Sequence, residues 1–228
     1  MSSPALVRLA IKYRDEQNRI RATASAAAVK AWRRLEHTNK ADLERLLIEL
    51  RPVDMAAVIA LVRLAAGFVG AADRLDSLAD AGPVVRVAEL DPAKFTNPAR
   101  FEQAVTAPFH KLWGELAAGV VWATAKENAE PRLAGGIVSH LGDVSLDAST
   151  AAMGQSDRII GYRRTLTGGG CTFCTLAAQQ TYSTQDLMPL HRDCDCGVAP
   201  IYANADPGKD VNQKFGSSSE SDEPATVS

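Results

Sequence analysis

Apolar residues recur every three or four positions through the first 80 residues, which is the spacing of α-helices that each bury one face. The first helix is predicted to begin at Pro4, because proline suits the first position of a helix, and to reach about Leu35. A second helix is predicted over Ala41–Leu50. Pro52 lacks a backbone N–H and is predicted to end it, so that a third helix runs over Met55–Asp80. This part of the chain predicts a helical hairpin or a small bundle.

The middle of the chain is also predicted to be helical, with breaks at prolines and glycines. Helices are expected over Pro98–Val105 and Pro108–Glu127. Pro131 and the pair Gly135-Gly136 are predicted to interrupt the chain. A weaker helix is then predicted over about Leu146–Tyr162.

Strand signals are few. Val84–Leu90 is rich in β-branched residues and predicts a short strand or an extended connector, and Val198–Tyr202 predicts an apolar strand. From Ala203 onward there are five acids, two lysines and no apolar periodicity, so this tail is predicted to be disordered in isolation.

Composition excludes several classes of protein. Hydrophobic residues make up 46% of the chain and charged residues 23%, which is ordinary for a globular protein and excludes collagen-like and disordered chains. The most apolar stretch, Met55–Ala72, is short, rich in alanine and interrupted by Arg63, so it predicts a buried packing helix rather than a membrane span. No secretory signal is predicted, and we expect a reducing cytosol, where clustered cysteines more often bind metal than form disulfides.

Charge is unevenly distributed along the chain. The formal net charge is −2, which argues against a broadly basic protein that coats nucleic acid, yet residues 1–51 hold eleven basic and six acidic residues. A basic helical arm can contact DNA or an acidic protein surface, whereas the simpler interpretation is a solvated helix face with ordinary ion pairs. The candidate contact residues are Arg8, Lys12, Arg19, Arg21, Lys30, Arg33 and Arg34.

All four cysteines lie within 26 residues, together with one histidine. A C-x2-C pair is followed sixteen residues later by the run HRDCDC, a spacing typical of a tetrahedral Zn²⁺ site built from two ligand pairs. The three glycines at 168–170 permit the tight backbone turn that such a site needs. The five candidate metal ligands are Cys171, Cys174, His191, Cys194 and Cys196.

Five candidates compete for four positions around the metal. Cys171 and Cys174 form the first pair, and either His191 with Cys196 or Cys194 with Cys196 completes the set. Structural zinc is favoured over disulfides, over a reduced cluster without metal, and over a catalytic cysteine with His191 as its base. No third residue that would orient such a base is evident, and the usual enzyme motifs are missing from the sequence, so we do not expect an enzyme.

The fold class that follows is mainly α, with an extended helical N-terminal region, a small zinc-stabilised α/β module towards the C-terminus and a disordered tail. The predicted domains are a helical hairpin or arm, a helical middle region, a Cys/His zinc module and the acidic tail, over residues 1–82, 83–154, 155–202 and 203–228.

The module resembles a known family of phage proteins. The run from Gly161 to Cys174, GYRRTLTGGGCTFC, and the closing HRDCDC at residues 191–196 are similar to a motif of actinobacteriophage minor capsid proteins, which belong with the Mu F-like head morphogenesis proteins of tailed phages. The similarity is specific over residues 155–202 and general over the helical front. The flanking motif positions fall on Tyr162, Arg163, Arg164 and Tyr182.

The resemblance implies a minor virion protein that is made in the host cytoplasm and lies in the capsid interior or at the portal vertex. Its implied partners are the portal protein and the major capsid or scaffold protein, with several copies in one assembly and no membrane. Packaged DNA is a further possible partner through the basic arm. Two rival functions are a nucleic-acid-binding zinc protein and, less favoured, a capsid-maturation peptidase.

Overall fold

A computed structural model describes residues 4–37, 39–80, 89–166, 172–183 and 196–202. The fold is mainly helical with one small two-stranded sheet, as the sequence predicts. In chain order the elements are α1 (Pro4–Arg33), α2 (Lys40–Asp80), a short 3-10 helix (Pro92–Phe95), α3 (Pro98–Ala117), α4 (Trp122–Met153), β1 (Ile159–Thr165), α5 (Thr172–Ala178) and β2 (Gly197–Tyr202). The predicted tail from residue 203 lies outside the described residues. So do residues 81–88, which include most of the predicted strand or connector Val84–Leu90.

Three prolines lie inside helices at positions where the sequence analysis expected a break. Pro52, Pro108 and Pro131 lie within α2, α3 and α4 respectively, so the predicted breaks there are wrong. An internal proline removes one helical hydrogen bond and costs about 3 kcal/mol. The helix continues because buried side chains on both sides of the proline hold it in the core, as Leu50 and Val58 do around Pro52.

The break between α3 and α4 occurs at a glycine rather than at a proline. Gly119 has a φ of +84°, a left-handed conformation that suits glycine, and its N–H donates to the carbonyl of Leu116 at 3.0 Å. The helix predicted over Pro108–Glu127 therefore divides here between α3 and α4. The two helices then run back along each other.

Gly135 and Gly136 do not interrupt α4, and Gly136 serves in packing. A Cβ at Gly136 would lie 3.2 Å from the Cα, Cβ and O of Ala104 in α3, so the missing side chain lets the helices approach closely. The helix predicted over Leu146–Tyr162 is also wrong in part, since α4 ends at Met153 and Tyr162 lies in β1.

The four long helices share one hydrophobic core. Trp32 is fully buried near the end of α1 and meets the ring of Phe109 edge-on, with the ring centroids 5.1 Å apart. Nearer the start of α1, Tyr13 stacks on Phe68 of α2 and its hydroxyl hydrogen-bonds to Ser149 of α4 at 2.6 Å. Burial of the Tyr13 ring raises the pKa of its hydroxyl, which stays protonated in the core. α1 is thus held against both α2 and α4.

The segment Lys40–Asp76 of α2 is long and apolar enough to cross a membrane by length and composition, and core helices of folded proteins meet the same criterion. In this structure its side chains at Val58, Leu61 and Val69 are buried in the shared core. That burial is the packing role that the sequence predicts for Met55–Ala72.

The small sheet is antiparallel and pairs residues that are 32 to 43 positions apart in sequence. Arg164 of β1 pairs with Val198 of β2, and Thr165 pairs with Gly197. The strand predicted over Val198–Tyr202 is confirmed, while β1 lies where the sequence analysis placed the end of a helix. The division into four domains stays a prediction, and the shared core includes Tyr162 and Val198 of the sheet together with side chains of the helices.

Substitution of Gly136 tests the close contact of α3 with α4. Gly136→Leu is expected to lower the free energy of unfolding by about 1–3 kcal/mol, because the new side chain must displace the backbone of Ala104. The matched control is Gly114→Ala in α3, where a Cβ meets nothing within 4 Å and a gain of about 0.5–1 kcal/mol is expected. Urea unfolding measures both values, and equal stability of Gly136→Leu and the parent chain would contradict the packing described.

Candidate metal centre

Two of the five predicted metal ligands lie in the described residues, and Cys171, His191 and Cys194 lie outside them. Cys174 is on α5 and is only 3% exposed, whereas Cys196 directly precedes β2 and is partly exposed. Neither takes part in a disulfide, and the described part of the chain contains no group of three or more metal-binding side chains. The metal site stays a prediction, and the described residues show how its two visible members are placed.

β1 brings Cys174 and Cys196 towards the same end of the sheet. Cys174 contacts β1 through Arg164, whose Nη1 donates to the Cys174 sulfur at 3.1 Å. Cys196 adjoins Gly197, and Gly197 pairs with Thr165, the residue after Arg164. Cys174 and Cys196 are therefore positioned by Arg164 and Thr165, which are neighbours on β1.

Arg164 is the unusual residue of this region because its side chain is fully buried. A guanidinium group keeps its charge at all ordinary pH values, so burying it is costly unless negative or strongly polar groups surround it. Besides the Cys174 sulfur, the ring of Phe173 lies 5.7 Å from its Cζ, a cation–π distance. The sequence analysis assigned Arg164 no role beyond packing or hydrogen bonding, and the structure places it against a candidate ligand.

The other flanking motif residues close α5 onto β1. Tyr162 is fully buried on the same face of β1 as Arg164, and its ring stacks on Tyr182 with the centroids 5.6 Å apart. Backbone hydrogen bonds of 2.8 and 2.9 Å join the same two tyrosines, and the Tyr182 hydroxyl donates to the carbonyl of Ala177 in α5 at 3.1 Å. Arg163 points to the opposite face and donates from Nε to the Thr181 hydroxyl at 3.1 Å.

Glycine is required at the start of this motif. A Cβ at Gly161 would lie 2.5 Å from the carbonyl oxygen of Tyr182, closer than real Cβ atoms approach. The bridge between Tyr162 and Tyr182 therefore depends on the missing side chain at Gly161.

The described residues fit a zinc site in their chemistry. Cysteine sulfur is a preferred ligand of Zn²⁺, and the Cys174 sulfur accepts a hydrogen bond from the Arg164 guanidinium. The buried hydroxyl of Thr165 has no hydrogen-bond partner among the described residues, and a Cβ at Gly197 would lie 2.8 Å from it. The Thr165 hydroxyl is therefore buried beside Gly197, the residue that follows Cys196. A hydroxyl in this position is suited to hydrogen-bond a ligand sulfur.

A buried polar network fastens the sheet to the helices. The Asp73 side chain of α2 is fully buried and accepts a hydrogen bond from the Ser156 hydroxyl at 2.9 Å. Arg158, two residues further on, forms an ion pair with Asp76, and its Cζ lies 5.8 Å from the ring centroid of Tyr202 in β2. Burial and the nearby carboxylates raise the pKa of Tyr202, which stays neutral. The sequence analysis missed this network, although an aspartate within the apolar run that follows Phe68 was a signal for it.

The residues of the candidate basic contact face are mostly exposed, and three of them are paired. Arg19 forms an ion pair with Glu16, Arg33 with Glu130 and Arg34 with Glu49, which is the simpler of the two interpretations of the basic arm. The exposed residues of the candidate face are Arg8, Lys12, Arg19, Lys30, Arg33 and Arg34.

The prediction that Arg21 belongs to the candidate contact face is wrong. Arg21 is only 6% exposed and hydrogen-bonds to Asn18, so it points into the protein rather than towards a partner. Arg8, Lys12 and Lys30 form no ion pair with any described residue. The cations that remain available on α1 therefore lie at its two ends.

Comparison with known proteins gives one match. The family model described as VG15 protein matches residues 7–216, which include the long helices, the sheet and all five candidate ligands. No curated protein and no solved structure matches the chain.

Removal of the buried carboxylate tests the attachment of the sheet. Asp73→Ala is expected to lower the free energy of unfolding by about 1–3 kcal/mol, because it leaves the buried Ser156 hydroxyl without its carboxylate acceptor. Asp15→Ala is the control, since this exposed carboxylate pairs with Arg14 at the surface and a change within about 0.5 kcal/mol is expected. The comparison uses thermal or urea unfolding, and similar values for both variants would contradict a structural role for Asp73.

Proposed function

The chain belongs to the VG15 protein family, a family of viral (phage) proteins, and from this premise we propose that it is a minor capsid protein that acts in phage head morphogenesis. The observation that carries the proposal is the extent of the family match, which covers the helical body and the cysteine-rich module together. The similarity of the motif from Gly161 to Cys196 to minor capsid proteins of the Mu F-like group supports the finer assignment. In this proposal the protein is structural, without catalytic activity, and is present in several copies in the virion.

The proposed partner is the portal protein or the inner face of the capsid shell, including its scaffold or major capsid protein. The helices carry large apolar side chains on their outer surfaces, which suits docking more than it suits an isolated soluble helix face. Ile48 and Met55 of α2 are seven residues apart, so they lie on the same side of the helix, and Ile48 is 73% exposed. Val121, at the turn between α3 and α4, is 68% exposed.

The proposed role of zinc is to stabilise the module that follows α4. Four of the five candidates Cys171, Cys174, His191, Cys194 and Cys196 supply the ligands, and a site filled entirely by protein side chains is structural rather than catalytic. A two-stranded sheet is marginal by itself, so the metal and the polar network at Asp73 supply the stability that the sheet lacks.

A second candidate function is contact with packaged DNA through α1. The observation that favours it is the exposure of Arg8, Lys12 and Lys30, none of which forms an ion pair with a described residue. Arg8 and Lys30 are separated by roughly 33 Å along the helix at the usual rise per residue, a span over which phosphates of DNA can be contacted.

Docking is tested by mixing the full chain with purified portal protein from the same phage and analysing co-migration by gel filtration. We expect co-migration, and we expect Ile48→Lys with Met55→Lys to weaken it by at least about tenfold, because two apolar contacts are replaced by solvated charges. Arg8→Ser with Lys12→Ser is the control and is expected to leave portal binding unchanged.

No co-migration of the parent chain with the portal protein would count against the docking proposal. If the parent chain instead bound DNA with an affinity that falls steeply as salt rises, and the Arg8→Ser, Lys12→Ser variant lost that binding, the second candidate function would be supported.

Metal content tests the zinc module. Protein purified under reducing conditions is expected to contain one zinc per chain by elemental analysis, with the ligand thiols becoming reactive only after chelation. Absence of metal together with two disulfides would contradict the ligand set and the reducing compartment. Absence of metal together with four freely reactive thiols would contradict the zinc site and would favour the alternative of a catalytic cysteine with His191 as its base.

A further inference from the structure

We propose that Arg164 is a positioning residue of the metal centre, whose buried guanidinium holds the Cys174 sulfur in place and offsets the negative charge that the cysteines bring to Zn²⁺. This inference rests on the zinc module of the proposed function. It assigns a role to Arg164, which is a flanking position of the motif and for which the sequence alone indicates no specific role.

The first support is the burial of the charge. Arg164 is among the largest fully buried side chains of the protein, and its guanidinium cannot lose its proton at any pH at which the protein folds. The Phe173 ring, with its centroid 5.7 Å from Cζ, covers the group. The Nη1 of Arg164 donates to the Cys174 sulfur at 3.1 Å, so the buried guanidinium is in direct contact with a candidate ligand atom.

The second support is the charge of the proposed ligand sets. Zn²⁺ with Cys171, Cys174, Cys196 and His191 carries a net charge of −1, and with all four cysteines it carries −2. Both sets are negative, and a cation in contact with one ligand sulfur offsets part of that charge.

The third support is the place of Arg164 between the two ligand-bearing segments. It lies on β1, contacts α5 through Cys174, and pairs in the sheet with Val198, two residues after Cys196. A residue on a strand is held more rigidly than one on a loop, and Tyr162 and Tyr182 fix the same strand against α5. Arg164 is therefore built to orient a ligand sulfur.

The experiment measures zinc affinity in the full chain by competition with a chromophoric chelator. Arg164→Met removes the charge and keeps much of the side-chain volume, Arg164→Lys keeps a cation, and Arg163→Met is the matched control on the opposite face of β1. We expect Arg164→Met to weaken zinc binding by about 10–100-fold, Arg164→Lys to weaken it less, and Arg163→Met to leave it unchanged.

A second measurement covers the case in which Arg164→Met does not fold. The Co²⁺-loaded parent chain, Arg164→Lys and Arg163→Met are compared by absorption, and we expect the thiolate-to-cobalt charge-transfer bands to shift in Arg164→Lys alone. A merely structural arginine would lower thermal stability without moving these bands.

The outcomes separate this inference from the proposed function. Zinc affinity in Arg164→Met equal to that of the parent chain, or unchanged cobalt bands in Arg164→Lys, would overturn the role of Arg164 and leave the zinc module standing. An equal loss in Arg163→Met and Arg164→Met would overturn it as well. Absence of zinc from the parent chain would overturn both, and the test with the portal protein would still decide the docking function.

Discussion

The buried carboxylate of Asp73 is the constraint on which the placement of the module depends. It lies inside the apolar face of α2, where a charge is tolerated only if it is hydrogen-bonded, and it accepts from Ser156 just before β1. The neighbouring ion pair of Arg158 with Asp76 secures the same segment. Because β1 begins at this attachment, the position of Arg164 relative to the helices follows from it.

The sheet is attached to the helices both by the shared core and by polar contacts. Tyr162 and Val198 join the core of aromatic and aliphatic side chains that the long helices bury, and the two strands also make polar contacts with α1 and α2. Arg14 of α1 donates to the carbonyl of Leu166 at 3.4 Å, and Gly197 lies directly against its side chain. A sheet of only two strands is marginal by itself, which is the reason for proposing that a metal ion adds stability to the module.

Local sequence signals succeeded where the governing interactions are local. The starts of α1 and α3 were predictable because a proline at the first helical position acts within one turn, and Asn97 caps α3 by accepting from the N–H of Arg100 at 3.0 Å. They failed at Pro52 because a proline disfavours a helix by only a few kcal/mol, and burial on either side outweighs that cost. Arg21 is a second such case: the pattern of basic residues assigned it to the surface, and packing in the folded protein buries it.

The sequence by itself determined the helical character of the chain, the strand at its C-terminal end and the candidate ligand set, because periodicity and ligand spacing are properties of neighbouring residues. Only the tertiary structure decided that the helices continue through their prolines, that α3 and α4 meet at Gly136, and that Arg164 is buried against Cys174. These features arise from contacts between residues far apart in sequence. Their free energies are set by burial and charge in the folded protein, which no local pattern contains.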